Sequence, residues 1–376
     1  MSTTLLLARR NMARNRVRLL ASVGGVALAL SLTLALDAIY AGVANQLTTY
    51  IERAGADVWV AQQGVRNLHM VASSLPETVV DAVGLVDGVA AVTPIIEATD
   101  TISAGDVRAV AYVIGLPVGG SMGDPWDIVE GSAQVGPGEI TVDRGFAAEA
   151  GVRVGDMVGV LGGEARIVGL SKGMASLINS VAFVSFDDFR AMRGGAPVIS
   201  FVLVRVAPGA SPEAVATAIE RLVPGVTAQS RTDFVAQERR IVTDMSADVI
   251  SIMSAVGFVV ALAVVALTVY VATLARRREF GVLKALGARN RTLYRVVLVQ
   301  ATLSVAVGFV IGLAFTTGLA LVLGRTDLNL ELAITSASLV KVGLFAAIIA
   351  GLAAILPIRQ VARVDPAVVF RRRAPA

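Results

Sequence analysis

Apolar positions run almost unbroken in four places along this chain and alternate with polar ones elsewhere. About 20 apolar residues carry a helix across the hydrocarbon of a bilayer. Leu19–Leu36 is one such run, ending on Asp37. Ile250–Leu274 has 25 residues and no charge, and Val296–Leu323 has 28 and none. Ser338–Pro357 holds one charge, Lys341, near its start, where a lysine is expected to snorkel to the interface. The first run exceeds the roughly 7–15 apolar residues of a cleaved signal peptide. Its helical pattern continues through Val43, Leu47 and Tyr50, so a retained anchor is expected. The pattern predicts an α-helical membrane protein with four transmembrane helices at 19–40, 250–274, 296–323 and 338–357.

Between the first and second spans lie about 200 residues, enough to bury a core of their own. Phe234, Ile241, Met245, Val249 and Ile252 recur at helical steps and mark a stripe on one face. Stalk helices are therefore expected at 41–54 and 229–249, extending the first and second spans beyond the bilayer. The domain between them, 55–228, carries a faint internal repeat. Pro76-Glu77 opens a helical stretch closing at Asp87-Gly88-Val89, and Pro212-Glu213 opens one closing at Pro224-Gly225-Val226. Each follows a strand-like run, Asp57–Ala61 or Phe201–Val206. Two small β-α-β lobes are expected from this. Residues 100–200 are rich in Gly and Val, with turns at Gly119-Gly120, Gly136-Pro137-Gly138, Gly162-Gly163 and Gly194-Gly195, and read as β. The predicted insert is α+β, a β-α-β lobe plus a β-rich lobe.

Charge gives the spans a direction. The net charge of +4 is strongly segregated. Residues 1–18, 275–295 and 357–376 together carry net +15, whereas residues 41–248 carry 14 bases against 24 acids. Short basic loops stay cytoplasmic. The N-terminal amphipathic segment 1–18, the loop 275–295 and the tail 358–376 are thus expected inside, and 41–249 and the short loop 324–337 outside. Hydrophobic residues make up 55% of the chain and mean hydropathy is +0.72, as a membrane protein requires. Thirty arginines against three lysines point to a GC-rich bacterial genome, hence a multi-pass protein of the bacterial inner membrane.

Several chemistries are excluded. There is no cysteine, hence no disulfide, thiolate zinc site or catalytic thiol. His69 is the one histidine, and it reads as a satisfied or exposed loop residue. None of the three lysines (Lys172, Lys284, Lys341) follows a glycine, so no Walker A motif exists, and any ATP must be bound by another chain. Gly169-Leu170-Ser171-Lys172-Gly173 matches G-x-S-x-G, but no histidine follows it as the hydrolase order demands. It reads as a glycine-rich turn. No catalytic, cofactor or metal site is expected, and the basic surplus is juxtamembrane rather than a nucleic-acid patch.

The loop 276–288 reads RRREFGVLKALGA. It is basic and amphipathic. Phe280, Leu283 and Leu286-Gly287 are expected on one side, with Arg277, Glu279 and Lys284 elsewhere and Gly287 as the helix C-cap. On physical grounds alone a basic loop lying on the membrane surface is an equal reading.

The string REFGVLKALGA resembles the signature of the MacB/FtsX/LolC superfamily of ABC transporter permeases, the type VII or mechanotransmission class. That family usually has Ile at the place of Phe280. Arg363-Val364-Asp365-Pro366-Ala367 is similar to the family's closing motif, Ala8–Arg16 to its amphipathic N-terminal helix, and Gly55–Val60 to the start of its outer domain, most closely in the DevC-like branch. The resemblance implies that 275–295 is a coupling loop docking on an ATPase, with Arg278, Glu279, Phe280, Gly281, Leu283, Lys284, Ala285 and Gly287 as coupling residues. It implies two copies of an ABC ATPase carrying ATP and Mg, a second permease copy or a paralogue, and room for an extracytoplasmic adaptor. No cofactor is expected on this chain itself. The implied activity is export or extraction of a lipid, peptide or other amphipathic substrate, driven by motion of stalks and outer domain. An FtsX-like transducer that activates a partner such as a cell-wall hydrolase is the alternative. A stand-alone sensor or an embedded enzyme leaves the signature unexplained.

Overall fold

The computed structural model describes the backbone of residues 16–120, 122–173, 180–324 and 332–362, and side chains from residue 23 onward except at 242, 243, 245–247, 249 and 250. Along the chain come helix α1 (Arg16–Arg53), strands β1 (Val58–Gln62) and β2 (Leu75–Pro76), α2 (Val79–Gly84), β3 (Val89–Ala104), β4 (Val107–Leu116), β5 (Ile128–Gly131) and β6 (Glu139–Asp143). Next are α3 (Arg144–Ala150), β7 (Met157–Val160), β8 (Gly163–Ser171), β9 (Ser180–Ser185), α4 (Phe186–Met192), β10 (Val198–Ile199), β11 (Phe201–Val206), α5 (Pro212–Leu222) and β12 (Val226–Ser230). Five helices end the described chain: α6 (Arg231–Ala275), α7 (Arg277–Ala285), α8 (Asn290–Leu323), α9 (Ser336–Ala353) and α10 (Ile355–Ala362). The expected segments at 1–15, 325–331 and 363–376 lie outside the described residues.

The chain divides into two compact units. One is the outer domain, Gly42–Met245 with Gly324–Glu331; the other is a membrane unit of Met1–Ala41, Ser246–Leu323 and Leu332–Ala376. Helices α1 and α6 each begin in one unit and end in the other.

In the outer domain the two β-α-β halves do not form separate lobes as the repeat suggested. They interlock. Strand order is β12-β1-β11-β3, with every neighbour antiparallel. β11 lies between β1 and β3, and β1 lies between β11 and β12, so each half closes its β-α-β by accepting a strand of the other. Both faces of this sheet are covered, which explains the continuous apolar runs Val-Trp-Val-Ala and Phe-Val-Leu-Val. Val58, Val60, Val202 and Val204 share a core with Val83 of α2 and Val215 and Ile219 of α5. Trp59, Ala61, Phe201 and Leu203 share the other with Tyr50 and Ile51 from the end of α1 and Phe234 from the start of α6.

β3 then leaves that sheet. Residues 89–95 pair with β11, and residues 96–104 pair with β4. The second lobe continues through β9, β6, β8 and β7, and a single bridge, Ser103 to Gly159, returns to β3 and closes the ring. This is the β-rich lobe expected at 100–200, with α3 and α4 set between its strands.

Among the described residues, four helical segments are long and apolar enough to span a membrane: Val23–Arg53, Ser251–Ala275, Asn290–Leu323 and Ser336–Ala362. Their shared core steps by three and four: Val26, Leu30 and Leu34; Ala261, Val265 and Val269; Leu293, Val297, Ala301 and Val305; Val342, Ala346, Ile349 and Ala353. Glycines let α8 approach α1. A Cβ on Gly308 would sit 2.7 Å from Val26 Cγ1, and one on Gly312 would sit 2.9 Å from the Ala27 carbonyl oxygen. One turn on, the hydroxyls of Thr316 and Ser31 share a hydrogen bond of 3.1 Å.

Candidate functional site

The loop after the second span folds as the nine-residue helix α7. Gly287 adopts φ +89°, the left-handed conformation that ends a helix at least cost in a residue without Cβ. Its N–H donates to the Lys284 carbonyl (3.0 Å), and Ala288 N–H donates to the Leu283 carbonyl (2.9 Å). This Schellman closure satisfies carbonyls that the helix end would otherwise leave open.

The faces of α7 sort differently from expectation. At about 100° per residue, Phe280, Lys284 and Gly281 fall within a sector of about 100°, and Leu283, Glu279, Leu286 and Val282 fall in an opposite sector of similar width. Phe280 and Gly281 are buried, and Phe280 joins the cluster containing Leu293, Val297 and Val361. Leu283 and Leu286 do not follow Phe280 inward. Both are exposed, as are Val282, Glu279, Arg277, Arg278 and Ala285. The reason is geometric: Leu283 lies about 60° round the helix from Phe280, on the side away from Lys284. The outward surface is thus an apolar patch of Val282, Leu283 and Leu286 around one carboxylate, Glu279, with Arg277 and Arg278 at the start of the helix. Such a surface suits a protein partner, since aliphatic side chains bind by burial while the charges select register.

Lys284, grouped with the coupling residues, is turned the other way. Its ammonium donates to the backbone carbonyls of Val361 (2.8 Å) and Ala362 (3.0 Å) in α10.

The proposed stalk stripe is spread over both units. In the outer domain Phe234 is 1% exposed and stacks on Trp59, with ring centroids 5.1 Å apart. Ile241 is half-buried. Met245 and Val249 lie in α6, with side chains outside the described set. Ile252, in the membrane unit, is exposed. Within the outer domain the ends of the two helices are bridged by Arg239 and Glu52 at 3.0 Å.

Two polar clusters escape the sequence. In the outer domain Glu238 is 1% exposed, although its neighbours Gln237, Arg239 and Arg240 make the region read as a solvated face. Its carboxylate accepts from Leu68 N–H (2.8 Å) and meets His69 Nδ1 at 2.7 Å. The Tyr112 hydroxyl donates to the His69 carbonyl (3.1 Å). Burial, reinforced by Glu238, pushes the Glu97 carboxyl up to about 8. His69 is therefore a satisfied structural residue. The second cluster is in the membrane unit, where Lys341 pairs with Asp37 at 2.9 Å and reaches Ser254 at 3.4 Å. The lysine expected to snorkel has a carboxylate partner, and the charge at the end of the first span supplies it. Ser171 of the G-x-S-x-G string ends strand β8, is fully buried, and donates to the Val142 carbonyl (3.3 Å); it has the surroundings of a core serine, not of a nucleophile.

Comparison with known proteins places both units. The family model for the MacB-like periplasmic core domain matches residues 19–222, and that for the FtsX-like permease C-terminal region matches residues 251–366. An uncharacterized ABC transporter permease of Mycobacterium tuberculosis is 24% identical over 367 residues, covering 96% of this chain and 98% of its own. A second from the same species is 26% identical over 372 residues with the same coverage. Among solved structures, the periplasmic region of MacB from Actinobacillus actinomycetemcomitans aligns with 50% of this chain and 94% of its own, at 12% identity and a TM-score of 0.38. The extracellular domain of the noncanonic ABC-type transporter YknZ from Gram-positive bacteria aligns with 46% of this chain and 100% of its own, at 15% identity and a TM-score of 0.37. With one family model spanning more than half of the chain and a second covering the remaining spans, this chain belongs to the MacB/FtsX family of ABC transporter permeases.

Proposed function

We propose that this chain is the membrane subunit of an ABC exporter, and that the outward face of α7 is where a separate ATPase docks. The observation that carries the reading is the exposure of Val282, Leu283 and Leu286 around Glu279 on a capped helix between two spans. Aliphatic side chains on a basic loop are solvent-exposed at a cost unless something covers them. The charge bias supports a cytoplasmic side for this loop and both termini, where an ATPase with ATP and Mg is available. α1 and α6 run unbroken between the units. ATP-driven movement at α7 would then reach the outer domain along helices rather than through a pore. A second permease copy or paralogue completes the assembly, with an adaptor beyond the membrane as a further partner. The cargo is amphipathic: a lipid or a peptide extracted at the outer surface.

The test is co-purification with the ATPase encoded beside this chain, followed by ATP hydrolysis in lipid. Leu283→Asp and Leu286→Asp are expected to abolish stimulation while leaving the fold intact, because each places a charge in an apolar contact. Full stimulation in both variants would remove the docking role from this face.

A further inference from the structure

Lys284 sits inside the segment that resembles a coupling helix, yet points away from its outward face. Its ammonium meets two backbone carbonyls, Val361 at 2.8 Å and Ala362 at 3.0 Å, both in α10. Both oxygens lie in the last turn of α10, where a helix turns its carbonyls toward donors other than its own. A lysine ammonium is well suited to such a helix end: it carries three donors and favours the negative end of a helix. Phe280, one turn before Lys284, and Val361 also belong to the same buried apolar cluster. Val361 and Phe280 are 0% and 7% exposed.

We infer that Lys284 is a positioning residue that ties the coupling helix to α10 by binding the Val361 and Ala362 carbonyls. On this account α7 and α10 are two halves of one joint. A push on the outward face of α7 is delivered to the end of the fourth span as well as to the second and third. This role rests on the docking reading above, but the joint itself does not, and two measurements separate them.

The first uses the permease alone in lipid nanodiscs and follows amide hydrogen exchange at 283–288 and 358–362. Lys284→Met is expected to speed exchange in both segments by about tenfold, the loss of a charge-assisted hydrogen bond, and Lys284→Arg is expected to restore protection. Unchanged exchange in Lys284→Met overturns the joint. The second measures complex formation and ATPase stimulation separately. Lys284→Met is expected to bind the ATPase as the wild type does and to stimulate it several-fold less, with Lys284→Arg again close to wild type. If Lys284→Met loses binding, the lysine belongs to the docking face and the inference is wrong. If exchange rises and stimulation stays at the wild-type level, the joint exists but does not position the helix, and that part is overturned. Should the wild type itself bind no ATPase, the docking reading fails while the exchange experiment still decides the joint.

Discussion

In the outer domain Trp59, Phe201 and Phe234 are at most 1% exposed, while in the membrane unit Leu267 and Phe315 are each 65% exposed and Val340 is 72%. The same residue types face inward in one unit and outward in the other. Water sorts them in the first, where burial of apolar area is the driving force. In lipid that force is absent between helices, so close packing and polar contacts must hold the spans together. The structure supplies both: Gly308 and Gly312 against Val26 and Ala27, Ser31 with Thr316, and Lys341 with Asp37. Size therefore matters to stability in one unit and smallness in the other.

Substitutions can break this contrast, and the tryptophans make it measurable. Both, Trp59 and Trp126, lie in the outer domain, so tryptophan fluorescence of the full chain reports that domain alone. The largest effect is expected for Phe201→Ala, about 3–5 kcal/mol lost from the outer domain in a urea titration read by fluorescence. Gly308→Leu comes next. It should cost the membrane unit about 1–3 kcal/mol by overpacking, seen as earlier loss of helical circular dichroism on SDS titration, with the fluorescence transition unmoved. Glu97 tests the polar side of the outer core. Its carboxyl stays protonated in the folded domain up to about pH 8 but ionises at a lower pH when unfolded. The folded state therefore binds more protons between those values, and stability must fall as pH rises through that window. Glu97→Gln is expected to flatten this decline between pH 5 and pH 8; an unchanged slope would assign it to other groups. A double-mutant cycle on Lys341→Met and Asp37→Asn is expected to give a coupling of about 0.6–1.7 kcal/mol, the range for polar contacts between spans. The smallest effect belongs to Phe315→Ala, expected to leave the SDS midpoint where it was, because the ring faces outward.

Much of this was legible from runs of residues. Span length and charge bias need only local composition, and the turn at Gly287 needs only one glycine in the right place. The strands at 57–61 and 201–206 were equally plain, because a strand buried on both faces is apolar throughout. Their pairing was not. A repeat in sequence says nothing about whether its two copies sit side by side or exchange strands, and here β1 lies between β11 and β12. Glu238 was invisible for a related reason. Its burial depends on Leu68 and His69, 170 and 169 residues away, while its sequence neighbours are polar. At α7 the helix and its cap were readable, but the division of its faces depended on where the core lies. A periodicity fixes which residues share a face, not which face is turned in. Lys284 shows the limit most clearly. Its partners are backbone carbonyls near the far end of the chain, and backbone atoms leave no mark in a sequence.

Strand β3 belongs to both lobes of the outer domain, and its side chains keep one alternation across the junction. Thr93 and Ile95 are buried on the first side of the junction, and Ile96, Ile102 and Ala104 on the second. Even positions on both sides, Val92 before the junction and Ile96, Ala98, Ile102 and Ala104 after it, pack in one core, whereas Ala91 and Ile95 pack in the other. The chain between Thr93 and Ile102 is therefore held to a parity. Adding or removing a single residue there would turn one lobe inside out relative to the other, whereas a change of two would preserve both faces.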